Sequence, residues 1–423
     1  MSNYVYGDNL NGGDNKEPIN INLNGDAKAV GIKRSTFIIA CAISIVVSLG
    51  LGILGGFLFS LGSSDELVPN EVVVNNIQKS PFEQQIGNAL TGGAVSRADI
   101  VDSIAQTVVE VRTDYVVSEG QLVLRGAGSG VIAGSYAVED KDTGITTEKG
   151  YYVITNAHVI EDAVYNNNSR ITVIHSNSTK YNATVAGYDI AGDVAILKIK
   201  EAKELKCAVF ANDGYTPRVG DEVIAVGNPL GQLGGTVTNG YISALNREIS
   251  VDGIKLELFQ TDAPVNRGNS GGGLFNLRGE LVGIVNARNI GTGAGSLGFV
   301  IPISNALDIF EDVISLGYVT NRPTIFAKYD MELKGGLFIT EVEKRPELEN
   351  GSNGDNSELL REYDQICGVI INGEAIYISS AKELDYIICS SKIGSTLTLL
   401  INRMVDGAYI QEKIDVTVFE YYH

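Results

Sequence analysis

The chain has 423 residues, 44% of them apolar and 20% charged, with a formal net charge of −19. A length well beyond the roughly 100–200 residues of one domain implies two soluble domains plus appended segments, and this apolar content supports packed cores and excludes wholesale disorder. The acidic balance argues against nucleic acid as a partner, because phosphate binding needs clustered Lys and Arg.

Residues 1–34 are rich in Asn, Asp and Gly without apolar period and read as a disordered cytoplasmic tail. From Thr36 to Leu61 no charged side chain occurs. A helix over that run rises roughly 39 Å, enough to cross a ~30 Å hydrocarbon core with tilt. It exceeds the ~7–15-residue apolar region of a cleaved signal peptide. One transmembrane helix within 35–62 is therefore expected. Lys28, Lys33 and Arg34 precede it, and Asp65 and Glu66 follow. Positive charge stays inside, which puts everything after about residue 63 outside a cell membrane crossed once. Residues 63–98 are mixed and polar, a tether.

Over 99–320, short β-rich runs recur between glycine-rich turns: Val108–Val111, Gly130–Ile132, Tyr151–Thr155, Ile171–His175, Val194–Ile199, Glu222–Val226 and Leu281–Val285. Many short strands with turns between them predict an all-β sandwich or barrel. Ala306, Leu307, Phe310, Val313 and Ile314 then recur at helical spacing, with Gly317 as the C-terminal cap. Arg322 and Pro323 mark a linker. Residues 323–423 read as a smaller β-rich unit with strands at Gly336–Val342, Ile366–Ile371 and Leu397–Ile401. Asn372-Gly373 signals a tight turn, Ser380–Ile387 a short helix, and Glu349–Ser357 a flexible loop.

Four cysteines show neither a CxxC pair nor zinc spacing, so no metal is implied. Cys41 lies in the apolar run. For Cys207, Cys367 and Cys389 buried thiols are favoured over a Cys367–Cys389 disulfide.

The chemistry centres on Gly268-Asn269-Ser270-Gly271-Gly272. A serine between glycines can sit on a sharp turn with its hydroxyl exposed, and the N–H groups of Gly268 and Ser270 can then point at one spot, as an oxyanion hole requires. A serine hydroxyl needs a base, and His is the natural one near neutral pH. Only His158, His175 and His423 exist. His423 is terminal and His175 lies within a strand, whereas His158 follows the apolar run Tyr151–Ile154. A carboxylate must orient the imidazole. Asp193 opens the buried run Val194–Ile199, while nearby Asp189 reads as a turn residue. The order Ser270, acid, His of an α/β-hydrolase elbow is excluded, because only His423 follows Ser270 and the glycines after it are poor helix formers. The observed order is His158, Asp193, Ser270.

The blocks Thr155-Asn156-Ala157-His158-Val159, Asp193-Val194-Ala195-Ile196-Leu197-Lys198-Ile199 and Gln260 to Gly272 resemble, in the same order, those of the HtrA/Deg serine proteases. The resemblance covers roughly 100–316 and implies a mainly β, chymotrypsin-like double-barrel domain with a His158–Asp193–Ser270 triad. More loosely, 323–423 resembles a PDZ domain. The family further implies a homo-trimer, unfolded or misfolded envelope proteins as substrates, and no cofactor. Pro264, six positions before Ser270, leaves no acid for a basic-residue pocket, and Val265, Leu297 and Phe299 are expected to form an apolar one. Three residues depart from the family pattern. Arg267 and Gly273 stand where it has Pro, which is expected to loosen the Ser270 loop, and bulky Phe326 stands where a small glycine is usual in a peptide-binding loop. They keep a second possibility in view, a non-proteolytic chaperone or PDZ adaptor.

Overall fold

β-Branched runs whose alternate residues serve two different cores organise the strands between residues 108 and 302. The computed structural model describes residues 96–421, apart from 118–120, 141–144, 167, 202, 212–214, 229–234, 252–253, 267, 288–297, 331–335 and 344–355. All described residues belong to one unit, 69–423. The expected tail and membrane span, and the tether up to residue 95, lie outside them, as does Cys41; the last tether positions, Ser96, Arg97 and Ala98, instead open a helix. Among the described residues no helix is long and apolar enough to cross a membrane.

A helix α1 (Arg97–Ala105), closed at its start by a capping box between Ser96 and Asp99, leads into the first barrel. Its strands are β1 (Val108–Val116), β2 (Leu122–Glu139), β3 (Thr146–Thr155), β4 (Ser169–Ile174), β5 (Lys180–Asp189) and β6 (Val194–Lys200), closed in the order β1-β2-β3-β6-β5-β4. A short helix α2 (Glu161–Tyr165) lies between β3 and β4. The second sheet contains β7 (Val209–Phe210), β8 (Glu222–Gly227), β9 (Thr236–Val251), β10 (Ile254–Thr261), β11 (Gly273–Asn276), β12 (Glu280–Asn286) and β13 (Gly298–Pro302). Its order is β11-β8-β9-β10-β13-β12-β7, and pairing of β11 with β12 closes it. The two closed sheets are the double barrel of a chymotrypsin-like protease fold.

The period-2 geometry of strands sorts the core. In β6, Ala195, Leu197 and Ile199 fill the first barrel, while Val194 and Ile196 face the layer between barrels. In β8, Val223 and Ala225 fill the second barrel, while Ile224 and Val226 join the same intervening layer. Both faces are buried, which is why these strands read as continuous apolar runs. Helix α3 (Ile303–Leu316) seals that layer with Ala306, Ile309, Phe310 and Val313. It ends where expected, at Gly317 with φ 84°, whose N–H donates to Val313 O at 3.1 Å.

The C-terminal unit is a sheet of β15 (Ala327–Asp330), β16 (Leu337–Val342), β17 (Gln365–Ile371), β19 (Thr396–Val405) and β20 (Ala408–Thr417), with β18 (Glu374–Tyr377) on β17. The predicted Asn372-Gly373 turn joins β17 to β18 with both residues at positive φ, 54° and 85°, as a type I′ hairpin requires. Helix α4 (Ala381–Ser390), capped by Ser380, buries Leu384 and Ile388 against Leu399, Ile401 and Val416.

One expectation is corrected here. The supposed linker is tied down on both sides: Arg322 grips Asp189 through Nε–Oδ1 (2.8 Å) and Nη2–Oδ2 (2.6 Å), and β14 (Pro323–Thr324) pairs with β21 (Phe419–Glu420). Of the expected flexible loop Glu349–Ser357, residues 349–355 lie outside the described residues, and Asn356 beside them is 1% exposed. Its amide donates to Ile325 O and Thr417 O and its oxygen accepts from Thr417 N, because a buried side-chain amide must find partners. Cys207, Cys367 and Cys389 are free thiols, but only Cys207 is buried, and Cys367 and Cys389 are half-buried. Burial pushes Cys207 up to about 11 and Cys389 up to about 12, which keeps both protonated and unreactive at neutral pH.

Candidate active site

His158 sits on a 3₁₀ turn (Ala157–Val159) at the end of β3. That turn is held from both sides: Thr113 Oγ1 donates to Val159 O at 3.1 Å, and Asn156 Nδ2 donates to Asp193 O at 2.9 Å. Asp193 has φ 52°, a left-handed conformation that Asp and Asn tolerate better than most residues. It places the carboxylate, 2% exposed, before β6 and under the imidazole. Asp193 Oδ1 accepts the His158 backbone N–H at 3.0 Å. Oδ2 lies 2.8 Å from His158 Nδ1 and accepts Asn286 Nδ2 at 2.8 Å. Three donors stabilise a buried negative charge that would otherwise be costly.

Ser270 comes to this pair through the end of β12. Asn286 reaches Asp193, and the next residue, Ala287, donates its N–H to Ser270 Oγ at 3.0 Å. Among the described residues no hydrogen bond joins Ser270 Oγ to His158. The Ser270 loop is fastened to the first barrel by Ser129, whose N–H donates to Ser270 O (2.7 Å) and whose Oγ donates to Gly268 O (2.7 Å). Ser129 Oγ also accepts Asn228 N–H, and Ser129 O accepts Thr155 Oγ1.

Gly268 has φ 101° and Gly271 φ 82°, conformations that L side chains rarely adopt. Among the described residues the N–H groups of Gly268 and Ser270 take no acceptor. Gly273 is paired on both sides, with Val226 and Ile284. The expected loosening therefore does not extend to Gly273, because a strand ladder fixes its backbone. Arg267 lies outside the described residues.

The expected apolar pocket is not assembled as anticipated. Leu297 lies outside the described residues. Val265 packs with the second-barrel core, but Phe299 is 6% exposed and points into the layer between barrels with Leu258 and Ile301. Adjacent strand residues face opposite ways, so the neighbour that meets Val265 is Gly298 instead. Asp189 is the expected turn residue, its carboxylate accepting Ala191 and Gly192 N–H, and it also binds Arg322. His175 Nε2 lies 3.1 Å from Gln106 O, apart from the site.

Two residues were missed in the sequence. Ser129 carried a signal, since Gly126-Ala127-Gly128-Ser129-Gly130 is an unusually small run for a strand, and a Cβ at Gly128 would lie 2.8 Å from Ser270 O. Asn286 carried a weaker one, a polar end to an apolar run. Asn286→Ala is expected to lower kcat by about ten- to a hundredfold with little change in KM, since a hydrogen bond to a charged group contributes about 1.5–3 kcal/mol. Steady-state kinetics on a peptide substrate measures this.

A mainly β double barrel that sets a His, an Asp and a Ser in this order defines the class of trypsin-like serine endopeptidases. Residues 128–284 match the family model of the trypsin-like peptidase domain. The chain is 30% identical over 380 residues to the serine protease Do-like HtrB of Bacillus subtilis (strain 168), covering 83% of this chain and 78% of that protein. It is 34% identical over 279 residues to the periplasmic pH-dependent serine endoprotease DegQ of Escherichia coli (strain K12), covering 58% of this chain and 56% of DegQ. A probable periplasmic serine endoprotease, DegP-like, of Rhizobium meliloti (strain 1021) is 42% identical over 204 residues, 48% of this chain and 36% of that protein. The chain thus spans only about a third to a half of the DegP-like and DegQ proteins. It belongs to the HtrA/Deg family of serine proteases.

Proposed function

We propose that the protein is a membrane-anchored HtrA-type endopeptidase that cleaves unfolded or misfolded proteins of the cell envelope through an acyl-enzyme on Ser270. The observation that carries this reading is the chain of contacts His158–Asp193–Asn286, continued by Ala287 to Ser270. In the reaction, Ser270 Oγ rotates off Ala287 N–H, gives its proton to His158 and attacks the peptide carbonyl. Asp193 holds the proton of His158 on Nδ1 and stabilises the imidazolium, and the amides of Gly268 and Ser270 receive the developing oxyanion. His158 then protonates the leaving amine, and water repeats the sequence on the ester.

The charge-free run 36–61, flanked by basic residues before and acidic ones after, supports a single-pass anchor with the protease outside. The names of the DegQ and DegP-like relatives, both called periplasmic, agree with that placement. The C-terminal unit is read as PDZ-like and the assembly as a homo-trimer. Cleavage after small or medium aliphatic residues fits the lack of an acid at position 264. The test is degradation of a reduced, unfolded protein by the full-length chain, with cleavage sites mapped by mass spectrometry. Cleavage after aliphatic residues that disappears in Ser270→Ala supports the reading, and cleavage concentrated after Lys or Arg contradicts the pocket assignment.

A further inference from the structure

Helix α2 directly follows the turn that carries His158, separated from it only by buried Ile160. It is one turn long, has no side-chain cap and buries none of its own residues. A helix that short has no stability of its own, so something else must hold it. Part of that support comes from its own domain, where Ala163 and Val164 pack on the first-barrel core and Ser169 Oγ donates to Asp162, and the rest comes from one half-buried face of α4 in the C-terminal unit. Lys382 Nζ donates to Glu161 Oε2 at 2.9 Å, and Tyr386 OH donates to Glu161 Oε1 at 3.4 Å. One turn on, Tyr165 OH donates to Asp385 Oδ2 at 2.7 Å. Residues 382, 385 and 386 lie three and four apart and so share one face of α4.

Asp385 is anchored from its own unit as well, because Tyr329 of β15 donates its hydroxyl to Asp385 Oδ1. Burial raises the Asp385 carboxyl, and the two tyrosine hydroxyls oppose that rise. Burial also raises both tyrosines, which keeps them as donors at neutral pH. Thus the groove between β15 and α4 faces the protease domain. Val164, Tyr165, Tyr188 and Ile190 line one wall of a cavity of about 390 Å³ there, and Tyr329 and Ile388 line the other. A narrower gap beside it has His158 and Asp193 on one side and Tyr386 on the other. At the head of the groove the Phe326 N–H is taken by Thr324 Oγ1 at 3.0 Å, and the Phe326 ring stacks on Tyr421 with 16° between planes.

We propose that α4 of the C-terminal unit braces the His158 turn through α2, so that Lys382, Asp385 and Tyr386 are positioning residues for the proteolytic reaction. This rests on reading His158, Asp193 and Ser270 as the triad. The brace touches neither substrate nor oxyanion site, so its loss acts on the chemical step: a base displaced by a fraction of an ångström lowers kcat without changing substrate contacts.

The test uses full-length protein in detergent and compares wild type, Tyr165→Phe, Lys382→Met and Asp385→Ala, with Tyr409→Ala on exposed β20 as a control. Two quantities are read: kcat and KM on a peptide substrate, and the rate of Ser270 labelling by a fluorophosphonate. Tyr165→Phe removes one hydroxyl and keeps the ring, so it guards against loss of folding in Asp385→Ala, and the melting temperature is followed for each. The expected result is that each brace variant lowers kcat and the labelling rate about tenfold or more while KM stays within about twofold, and that Tyr409→Ala changes neither. Unchanged labelling in all brace variants overturns the proposal. Faster labelling also overturns it, since α4 would then be a brake. An unlabelled wild type would defeat the triad reading itself, and the brace with it.

Discussion

Asp193→Asn is expected to lower kcat by about 10⁴-fold while leaving the fold in place. Asn is nearly isosteric and tolerates the left-handed backbone at φ 52°, so the turn before β6 survives. What changes is the pattern of donors. The His158 backbone N–H can only donate and keeps the amide oxygen at the Oδ1 position. The amide NH₂ is then forced to the Oδ2 position, facing His158 Nδ1 and the Asn286 amide. Nδ1 becomes an acceptor, its proton moves to Nε2, and the nitrogen that must take the Ser270 proton is already occupied. Steady-state kinetics paired with circular dichroism checks both halves, and near-normal turnover would show that Asp193 is not the orienting acid.

Gly271→Ala is expected to abolish cleavage and to cost stability. At φ 82° an L residue costs about 1–3 kcal/mol. Its Cβ would also stand 2.1 Å from Ser129 O and 2.4 Å from Thr155 Oγ1, an overpacking of about 1–3 kcal/mol. The backbone at Ser129 cannot yield freely, since its N–H and hydroxyl hold Ser270 and Gly268. The strain therefore passes into the nucleophile loop. A fall in Tm on the order of 10 °C together with lost labelling is the expected result, and a fully active, equally stable variant would contradict it.

The barrels were legible where strands are buried on both faces, as in Val194–Ile199 and Glu222–Val226. They were not legible in β9, whose polar residues alternate without an apolar run, nor in the first half of β2, which exposes Leu122, Val123 and Leu124. His158, Asp193 and Ser270 could be read because each needs a distinctive neighbour sequence. Asn286 and Ser129 act through hydrogen bonds to residues distant in the chain, and such pairings leave little local pattern. Arg322 misled for a related reason. A polar residue before Pro looks like a linker until its partner, Asp189, is seen across the fold. Phe299 was misplaced because membership of a strand does not fix which of its faces meets the pocket.

The most direct measurement is labelling of the full-length protein by a serine-directed fluorophosphonate, with the modified residue identified by mass spectrometry and Ser270→Ala run beside it. A single adduct on Ser270, absent in the variant and lost together with cleavage of an unfolded protein, is the expected result. A folded wild type that takes no label, or one labelled elsewhere that still cleaves after Ser270→Ala, would contradict the assignment of Ser270 as nucleophile.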